Sequence, residues 1–178
     1  MKIISDKKLK EVKIYKPTTF KDFRGEIWTK WDKKIFKGIS FNLSKFTTSK
    51  KNVLRGLHFQ KKYSQAKLIT VTYGKILDVA IDLRPTSKFF GKYFSIEISH
   101  KDDFSFFIPE NFAHGFLCLS NYCVVNYKLS NYRKPQYEKT LQWNDPDINI
   151  NWPINKPIMS KKDKINSQSF SDLFSLSK

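Results

Sequence analysis

Short stretches in which apolar and polar residues alternate recur along this chain of 178 residues. Residues 75–83 carry leucine, valine and isoleucine at every second position, with two aspartates and an alanine between them. Residues 93–99 alternate in the same way, and 68–73 form a further run of strand-forming residues. A period of two residues is typical of β-strands with one face in a core. The pattern therefore predicts several short strands.

Turn-forming residues separate these stretches at intervals of about 8–12 residues. We predict that 68–73 and 75–83 form a hairpin around Gly74. Residues 39–44 alternate and predict a strand, whereas the lysine- and threonine-rich stretch 45–52 predicts a loop.

Helical periodicity is weak everywhere except near the C-terminal end. Up to Leu129 no segment has a convincing helical period, whereas Phe170, Leu173 and Phe174 recur at the spacing of one helix face. Residues 143–157 are rich in Asn, Asp and Pro and predict an ordered loop. The fold class expected is therefore all-β, an antiparallel sandwich or barrel with a short C-terminal helical segment.

Length and composition predict one globular domain over residues 1–178. Hydrophobic residues make up 40% of the chain and include sixteen phenylalanines, which suit β-structure. Because we find no apolar run of signal-peptide or bilayer-spanning length, we expect a cytoplasmic protein without membrane contact. Cys118 and Cys123 lie in apolar surroundings and are expected to be buried free thiols.

The formal net charge of +17 raises the question of a nucleic-acid partner. The basic residues are spread along the whole chain, and we find no recognisable nucleic-acid-binding signature, so we expect none. Only four of the 33 cations are arginine: Arg24, Arg55, Arg84 and Arg133. In a chain that uses lysine for most of its positive charges, each arginine suggests a position that needs a planar fork of donors for a phosphate or carboxylate. A compositional bias toward lysine would explain the same count.

The segment Arg-Gly-Leu-His-Phe-Gln at 55–60 combines a permanent cation, a glycine and an imidazole within strand-forming residues. It contains His58, one of three histidines in the chain with His100 and His114. Imidazole exchanges protons near neutral pH, so His58 is a candidate acid or base. From the residues alone, a core histidine satisfied by the backbone is an equally good interpretation.

Seven segments in the same order resemble the nucleotide-sugar 3,5-epimerase family typified by dTDP-4-dehydrorhamnose 3,5-epimerase. The resemblance runs from about residue 20 to 163. The segments are 20–25 (Phe-x-Asp-x-Arg-Gly), 55–60, 65–68 (Gln-Ala-Lys-Leu), 78–84 (Asp-Val-Ala-Ile-Asp-Leu-Arg), 108–116 (Ile-Pro-x-x-Phe-Ala-His-Gly-Phe), 127–128 (Tyr-Lys) and 144–153 (Asn-Asp-Pro, then Ile-x-Trp-Pro). Each segment alone is weak, whereas seven in order are a strong signal.

The resemblance implies a cupin jelly roll and an isomerase that needs no cofactor and no metal. The implied reaction is epimerisation at C3, C5 or both of a nucleotide-diphosphate 4-keto-6-deoxy sugar, either a dTDP-hexose or a GDP-linked 4-keto heptose. A proton next to a ketone is removed by a base while the enolate oxygen is stabilised, and a proton returns to the opposite face. The resemblance also implies a homodimer.

The family pattern assigns catalytic roles to four residues of this sequence. His58 resembles the base and Asp163 its carboxylate partner, which would orient the imidazole and support its charged form. Lys67 resembles the cation that faces the developing charge on O4. Tyr127 resembles the acid on the other face of the sugar.

Substrate-binding roles follow from the same resemblance. Arg24 and Arg55 match residues that hold the diphosphate, and Arg24 is implied to reach across from a partner subunit. His114 matches a substrate contact. We also predict substrate contacts for Gln60, Asn42, Asp82 and Arg133.

Three details of spacing need a structural answer. Arg55 and His58 are three apart and would face opposite sides of a regular strand, so we predict a bulge at Gly56. The interval from His58 to Lys67 is one residue shorter than the family pattern. Arg133 stands where a second tyrosine, six residues after Tyr127, is expected to flank the nucleotide or sugar.

Three other functions remain open at this point. A metal-dependent cupin would need a second histidine where the chain has Gln60. A 3,4-ketoisomerase would use the same scaffold and substrate class. A non-catalytic cupin that binds polyanions would use the positive charge and would show a steep dependence of binding on salt.

Overall fold

The computed structural model describes residues 2–5 and 11–174. Strands dominate it, with two short helices near the C-terminal end and a 3₁₀ turn at Pro135–Tyr137. The strands are β1 (Lys2–Ser5), β2 (Lys13–Lys16), β3 (Thr19–Asp22), β4 (Gly25–Trp28), β5 (Leu43–Lys50), β6 (Leu54–Gln60), β7 (Lys67–Tyr73), β8 (Lys75–Asp82), β9 (Tyr93–Ser99), β10 (Ser105–Ile108), β11 (Phe112–Cys118), β12 (Tyr122–Leu129), β13 (Glu138–Leu141) and β14 (Ser167–Gln168); the helices are α1 (Lys161–Ile165) and α2 (Phe170–Phe174).

Two six-stranded sheets form the body of the protein. One has the order β1-β2-β10-β7-β12-β5 and the other β14-β13-β6-β11-β8-β9. The pairings are antiparallel except between β13 and β14. From β5 to β8 and again from β9 to β13, strands that follow each other in sequence alternate between the sheets, as in a jelly roll. The predicted all-β cupin fold with a short C-terminal helical segment is confirmed.

The main apolar core lies between the sheets. Alternation along β7 directs Ile69 and Val71 into this core, while Leu68 packs on the outer face with Phe36 and Phe107. Full burial of an aliphatic or aromatic side chain contributes roughly 1.5–3 kcal/mol, so the buried side chains of β7 stabilise both layers. The alternation seen in the sequence is therefore the alternation between core and outer layer.

The C-terminal segment covers the outer face of the sheet that contains β6. Trp152, Phe170 and Leu173 pack there against apolar residues such as Leu57 and Val79. The predicted ordered loop at 143–157 and the predicted helix at the tail are confirmed. This packing brings the segment before α2, including α1, back to β6.

The predicted hairpin around Gly74 is wrong. β7 pairs with β10 and β12, whereas β8 pairs with β11 and β9, so the two strands belong to different sheets. Gly74 has a φ of +76°, and a Cβ there would lie 2.1 Å from the Tyr122 carbonyl oxygen. The turn therefore carries the chain from one sheet to the other, and periodicity alone does not tell which strands pair.

The predicted loop at 45–52 and the predicted strand at 39–44 are also corrected. β5 begins only at Leu43 and continues through the lysines and threonines to Lys50. Its register with β12 is continuous over eight residue pairs. Threonine favours strands and lysine is common on sheet edges, so this composition suits an edge strand.

The predicted irregularity at Gly56 is confirmed. His114 pairs with His58 and Phe116 pairs with Arg55, so two residues of β6, Gly56 and Leu57, oppose one residue of β11, Gly115. Gly56 has a φ of +107°, a conformation that other residues rarely adopt. This β-bulge allows Arg55 and His58 to line the same cavity.

We expect Gly56→Ala to destabilise the protein by about 3–5 kcal/mol, because it combines backbone strain with a clash. The added Cβ would lie 2.6 Å from the carbonyl oxygen of His114 and 2.8 Å from Cα of Gly115. Urea unfolding measures the change. Gly38→Ala is the matched control, since Gly38 has a φ of +79° but no atom within 4 Å of an added Cβ. Equal destabilisation by the two variants would contradict the clash.

Candidate active site

A cavity of about 230 Å³ opens between the two sheets. One wall is the sheet that holds β6 and β11, and the facing wall is the sheet that holds β5, β7 and β12. The lining residues are Lys45, Thr47, Arg55, His58, Phe59, Gln60, Gln65, Lys67, His114, Gly115, Tyr127, Leu129, Arg133, Glu138 and Asp163. Four cations and two carboxylates are among them, so the cavity suits an anionic ligand.

His58 and Asp163 form a hydrogen-bonded pair at this cavity. Nε2 of His58 lies 2.7 Å from Oδ1 of Asp163, and the side chains are 37% and 8% exposed. Burial acts to raise the pKa of Asp163, but hydrogen bonds from His58 and Ser160 together with nearby positive charge lower it overall. Asp163 is therefore an anion that accepts the Nε2 proton, which leaves Nδ1 of His58 as the basic nitrogen.

Helix α1 holds Asp163 in place although it is only five residues long. Oγ of Ser160 caps the helix by accepting the backbone N–H of Asp163 at 3.0 Å. The preceding segment is fixed by Ile158, whose carbonyl oxygen accepts the N–H of Leu54 and whose N–H donates to the carbonyl oxygen of Asn52, and the following segment is fixed by pairing of β14 with β13. Such a short helix is unstable alone, so tertiary contacts position the carboxylate.

Lys67 is buried beside His58. Its Nζ donates to the carbonyl oxygen of His58 at 3.2 Å. Burial lowers the pKa of Lys67 to about 8, while the negative charges of Asp78 and Glu138 act in the opposite direction. At neutral pH the side chain is therefore predominantly a cation, and the shorter interval from His58 still brings Lys67 to the cavity.

Tyr127 lies on the wall opposite His58, on β12. Burial and the negative charge of Asp78 raise the pKa of Tyr127 well above its ordinary value. Its ring contacts that of His114 edge to face, with 5.8 Å between the ring centroids. The phenol is therefore protonated at neutral pH and can supply a proton to a strongly basic carbon.

His114 and Asp78 form a second pair, more deeply buried than the first. Nε2 of His114 lies 2.9 Å and 3.0 Å from the two carboxylate oxygens of Asp78. Burial lowers the pKa of His114, and the Asp78 carboxylate opposes that shift. The ring is consequently neutral at physiological pH.

Arg55 is held at the cavity by the edge strand β5. Its Nε donates to Oγ of Ser49 and its Nη2 to the carbonyl oxygen of Thr48, both at 2.9 Å. A guanidinium has five N–H donors, so these two contacts leave others for a ligand. Arg55 thus combines a fixed position with free hydrogen-bonding capacity.

Arg133 lines the cavity through an ion-pair network with Glu138. Nε and Nη2 of Arg133 lie 2.5 Å and 3.1 Å from the Glu138 carboxylate, which also pairs with Lys162. Burial acts to raise the pKa of Glu138, but these two cations lower it to about 2. The guanidinium plane of Arg133 is therefore fixed at the cavity rim.

Gln60 lines the cavity, but its amide is used by the backbone. Its Oε1 accepts the N–H of Lys134, and its Nε2 donates to the carbonyl oxygens of Tyr63 and Tyr132. Gln60 therefore anchors the loop that carries Arg133. A direct contact of Gln60 with substrate stays a prediction.

Three residues predicted at the site lie outside this cavity. Arg24 is exposed in the turn between β3 and β4, where it pairs with Asp22. Asn42 lines a different cavity and donates to the carbonyl oxygen of Ser130. Asp82 is buried and binds Arg84 and Ser87 at the end of β8. Asn42 and Asp82 do not line this cavity, and their contacts with substrate stay predictions.

Sequence reasoning missed Lys45, Thr47 and Glu138. Lys45 and Thr47 were missed because residues 45–52 were interpreted as a loop. Strand alternation from Leu43 would have placed both side chains on one face. Glu138 gives no local signal, since it becomes part of the site only by pairing with Gln60. Across residues 2–5 and 11–174, no group of three or more His, Cys, Asp or Glu side chains converges as a metal site would.

Comparison with known proteins identifies a family that this chain resembles over most of its length. The sequence profile described as dTDP-4-dehydrorhamnose 3,5-epimerase matches residues 6–172. The enzyme of that name from Shigella flexneri is 37% identical over 168 residues, which cover 91% of this chain and 92% of the relative. The one from Escherichia coli is 40% identical over 163 residues, with 88% of each chain covered.

Solved structures match the whole fold. A dTDP-4-dehydrorhamnose 3,5-epimerase from Elizabethkingia anophelis superposes with a TM-score of 0.91 at 39% identity and covers 97% of both chains. A dTDP-6-deoxy-D-glucose-3,5-epimerase from Legionella pneumophila, in complex with dTDP-4-keto-L-rhamnose, gives 0.88 at 34% identity and covers 93% of this chain and 91% of its own. The chain therefore belongs to the dTDP-4-dehydrorhamnose 3,5-epimerase family of enzymes.

Proposed function

We propose that this protein epimerises C3 and C5 of a dTDP-linked 4-keto-6-deoxy hexose. The observation that carries the proposal is one cavity with the His58–Asp163 pair on one sheet wall and Tyr127 on the other. Epimerisation needs a base and an acid on opposite faces of the same ring. The relatives compared above are named for dTDP sugars, which favours dTDP over a GDP-linked heptose.

Nδ1 of His58 removes a proton from the carbon next to the ketone. Asp163, bonded to Nε2, stabilises the imidazolium that forms. The electron pair of the broken C–H bond moves toward O4, and the Lys67 ammonium stabilises the resulting enolate. Lys67 is suited to this role because it is buried at the cavity and charged at neutral pH.

Tyr127 completes the inversion from the opposite wall. Its O–H bond breaks as a new C–H bond forms on the other face of the ring, and the enolate returns to a ketone. The substrate has then gained and lost one proton, leaving an imidazolium at His58 and a phenolate at Tyr127. Proton exchange with water restores both groups before the next inversion.

Arg55 and Arg133 are proposed to bind the nucleoside diphosphate. The free N–H groups of Arg55 suit the diphosphate oxygens. The guanidinium plane of Arg133, held by Glu138, provides a flat cationic surface for the base or sugar where the family pattern has a tyrosine. His114 contacts the sugar from the floor of the cavity.

The β3–β4 ribbon supports a homodimer in which Arg24 completes the partner's site. Within the described part of the chain this ribbon forms a separate two-stranded sheet. It exposes Phe20, Phe23 and Ile27, which are 67%, 97% and 71% accessible. Exposed apolar side chains of this kind mark a protein contact. We propose that each subunit is a single domain over residues 1–178 and that two such subunits pair.

Mixing two inactive variants tests this arrangement. Arg24→Ala and His58→Asn subunits should each have low activity alone. In a random mixture, half of the dimers pair one subunit of each kind, and one site of such a dimer has both residues. Activity should therefore recover to about a quarter of the wild-type value. A mixture as inactive as its components would contradict a contribution of Arg24 in trans.

Solvent exchange tests the reaction itself. The protein is incubated with dTDP-4-keto-6-deoxyglucose in heavy water, and NMR follows deuterium at C3 and C5 together with the configuration of the product. We expect incorporation at both carbons and inversion to the L-sugar. No incorporation would contradict the proposal, and a product with its carbonyl at C3 would identify a 3,4-ketoisomerase instead.

Activity should fall as the pH rises past about 8, because Lys67 then loses the charge that stabilises the enolate. The unfolded-state pKa is near the ordinary 10.5, so the unfolded chain binds more protons between pH 8 and 10.5. Lys67 itself therefore makes folding more favourable as pH rises in that window, and unfolding at this group does not explain the loss. Rates between pH 6 and 10 measure the effect.

Lys67→Arg is the control for this pH dependence, since a guanidinium stays charged throughout the range. The fall near pH 8 should disappear in the variant, even if its maximal rate is lower. Persistence of the same fall would assign it to another group.

A further inference from the structure

Thr47 carries a buried hydroxyl with no partner. Its Oγ1 is inaccessible and makes no hydrogen bond to any described residue, although Thr47 lines the active-site cavity. A buried polar group without a partner costs free energy, so such groups are uncommon in folded proteins. A buried hydroxyl without a partner at a reaction cavity is explained if its hydrogen-bond partner forms only during the reaction.

The register of β5 and β12 places this hydroxyl beside Tyr127. Lys45 pairs with Tyr127 and Thr47 pairs with Val125, so all four side chains share one face of the sheet. Thr47 is thus the diagonal neighbour of Tyr127. Diagonal pairs have Cα atoms about 7–8 Å apart, within reach of an aromatic side chain.

Electrostatics indicate that the two hydroxyls influence each other. Burial and the charge of Asp78 raise the pKa of Tyr127, and the Thr47 hydroxyl acts in the opposite direction by favouring the ionised phenol. The resting pair nevertheless falls short of hydrogen-bond geometry. A neutral phenol does not need this donor, whereas a phenolate does.

Tyr127 becomes a phenolate each time it delivers its proton to carbon. The Asp78 carboxylate opposes this ionisation by raising the pKa of Tyr127, while the positive charge of Arg55 acts in the other direction. His114 does not compensate, since its Nε2 is engaged with Asp78. The Thr47 hydroxyl, which has one proton to donate and no other acceptor among the described residues, can compensate.

Building on the function proposed above, we infer that Thr47 is a positioning residue that donates a hydrogen bond to the Tyr127 oxygen as it becomes anionic. The Thr47 O–H bond stays intact, and only the Tyr127 proton moves to carbon. Thr47 then lowers the barrier of the reprotonation step and leaves proton removal by His58 unaffected. The two steps are separable, because exchange with solvent requires only the first.

Thr47→Val removes the hydroxyl with little change of shape and tests this inference. In heavy water with dTDP-4-keto-6-deoxyglucose, inversion should slow roughly 10- to 100-fold, as expected for a lost hydrogen bond to an anion. Proton removal by His58 is unaffected, so deuterium should still be incorporated at near the wild-type rate. It should now enter with retained configuration. Thr47→Ser, which keeps the hydroxyl, should restore inversion.

Thr72→Val is the matched control, since Thr72 is an exposed threonine on β7, the other neighbour of β12. It should behave as the wild type. If Thr47→Val does not fold, Thr47→Ala gives the same comparison. An unchanged ratio of exchange to inversion in the variant that folds would overturn the inference. A wild-type protein without turnover would instead reject the proposed function.

Discussion

His58→Asn should abolish both epimerisation and solvent exchange, with rates reduced roughly 10²–10⁴-fold or below detection. Asparagine occupies a similar volume and can still bond to Asp163, but it cannot accept a proton from carbon. His114, the other histidine of this cavity, is a poorer base, because burial lowers the pKa of its ring. NMR in heavy water measures exchange and inversion in one experiment.

His100→Asn is the control for this variant. His100 is exposed, stacks on Tyr73 and lies outside the cavity, so its loss should leave both rates unchanged. Thermal unfolding of the two variants checks that the fold is intact. Deuterium incorporation by His58→Asn at the wild-type rate would exclude His58 as the base.

Tyr127→Phe should separate the two half-reactions. His58 still removes a proton, and the deuteron that replaces it on the imidazolium returns to the face from which it left, so exchange continues with retained configuration. Inversion should fall by roughly 10²–10⁴, since the phenylalanine ring has no proton to give. The ratio of exchange to inversion, measured on one sample, reports the effect.

Tyr122→Phe provides the comparison, because it removes a hydroxyl from the same strand at a more exposed position outside the cavity. That variant should invert its substrate normally. Parallel loss of exchange and inversion in Tyr127→Phe would show that Tyr127 supports the first step, and the assignment of Tyr127 as the acid would then be wrong.

Local sequence was sufficient for several features of the fold. Alternation along 75–83 places Val79 and Ala80 on opposite faces of the strand, as predicted, and the structure shows that Ala80 faces the core between the sheets and Val79 the outer layer. The spacing of Arg55 and His58 was enough to require an irregular strand, because two inward side chains three residues apart are incompatible with a regular one. These are short-range properties, and periodicity records them directly.

Features that depend on which strands pair could not be predicted from local sequence patterns. The assignment of β7 and β8 to different sheets, and of 43–50 to a strand, depends on hydrogen bonds to distant segments. The same reason explains why the position of Asp82 could not be predicted from the sequence. Its chemistry suits a binding site, but the end of β8 directs it toward Arg84 and away from the cavity.

The sequence by itself determined which chemistry was available: an imidazole in a strand, few arginines, and a set of segments in family order. Only the tertiary structure decided which groups act together. His58 and Asp163 are 105 residues apart in the chain and 2.7 Å apart in space. The physical reason is that acidity, charge and hydrogen-bonding capacity belong to individual side chains, whereas their convergence depends on long-range pairing of strands and packing of the C-terminal segment.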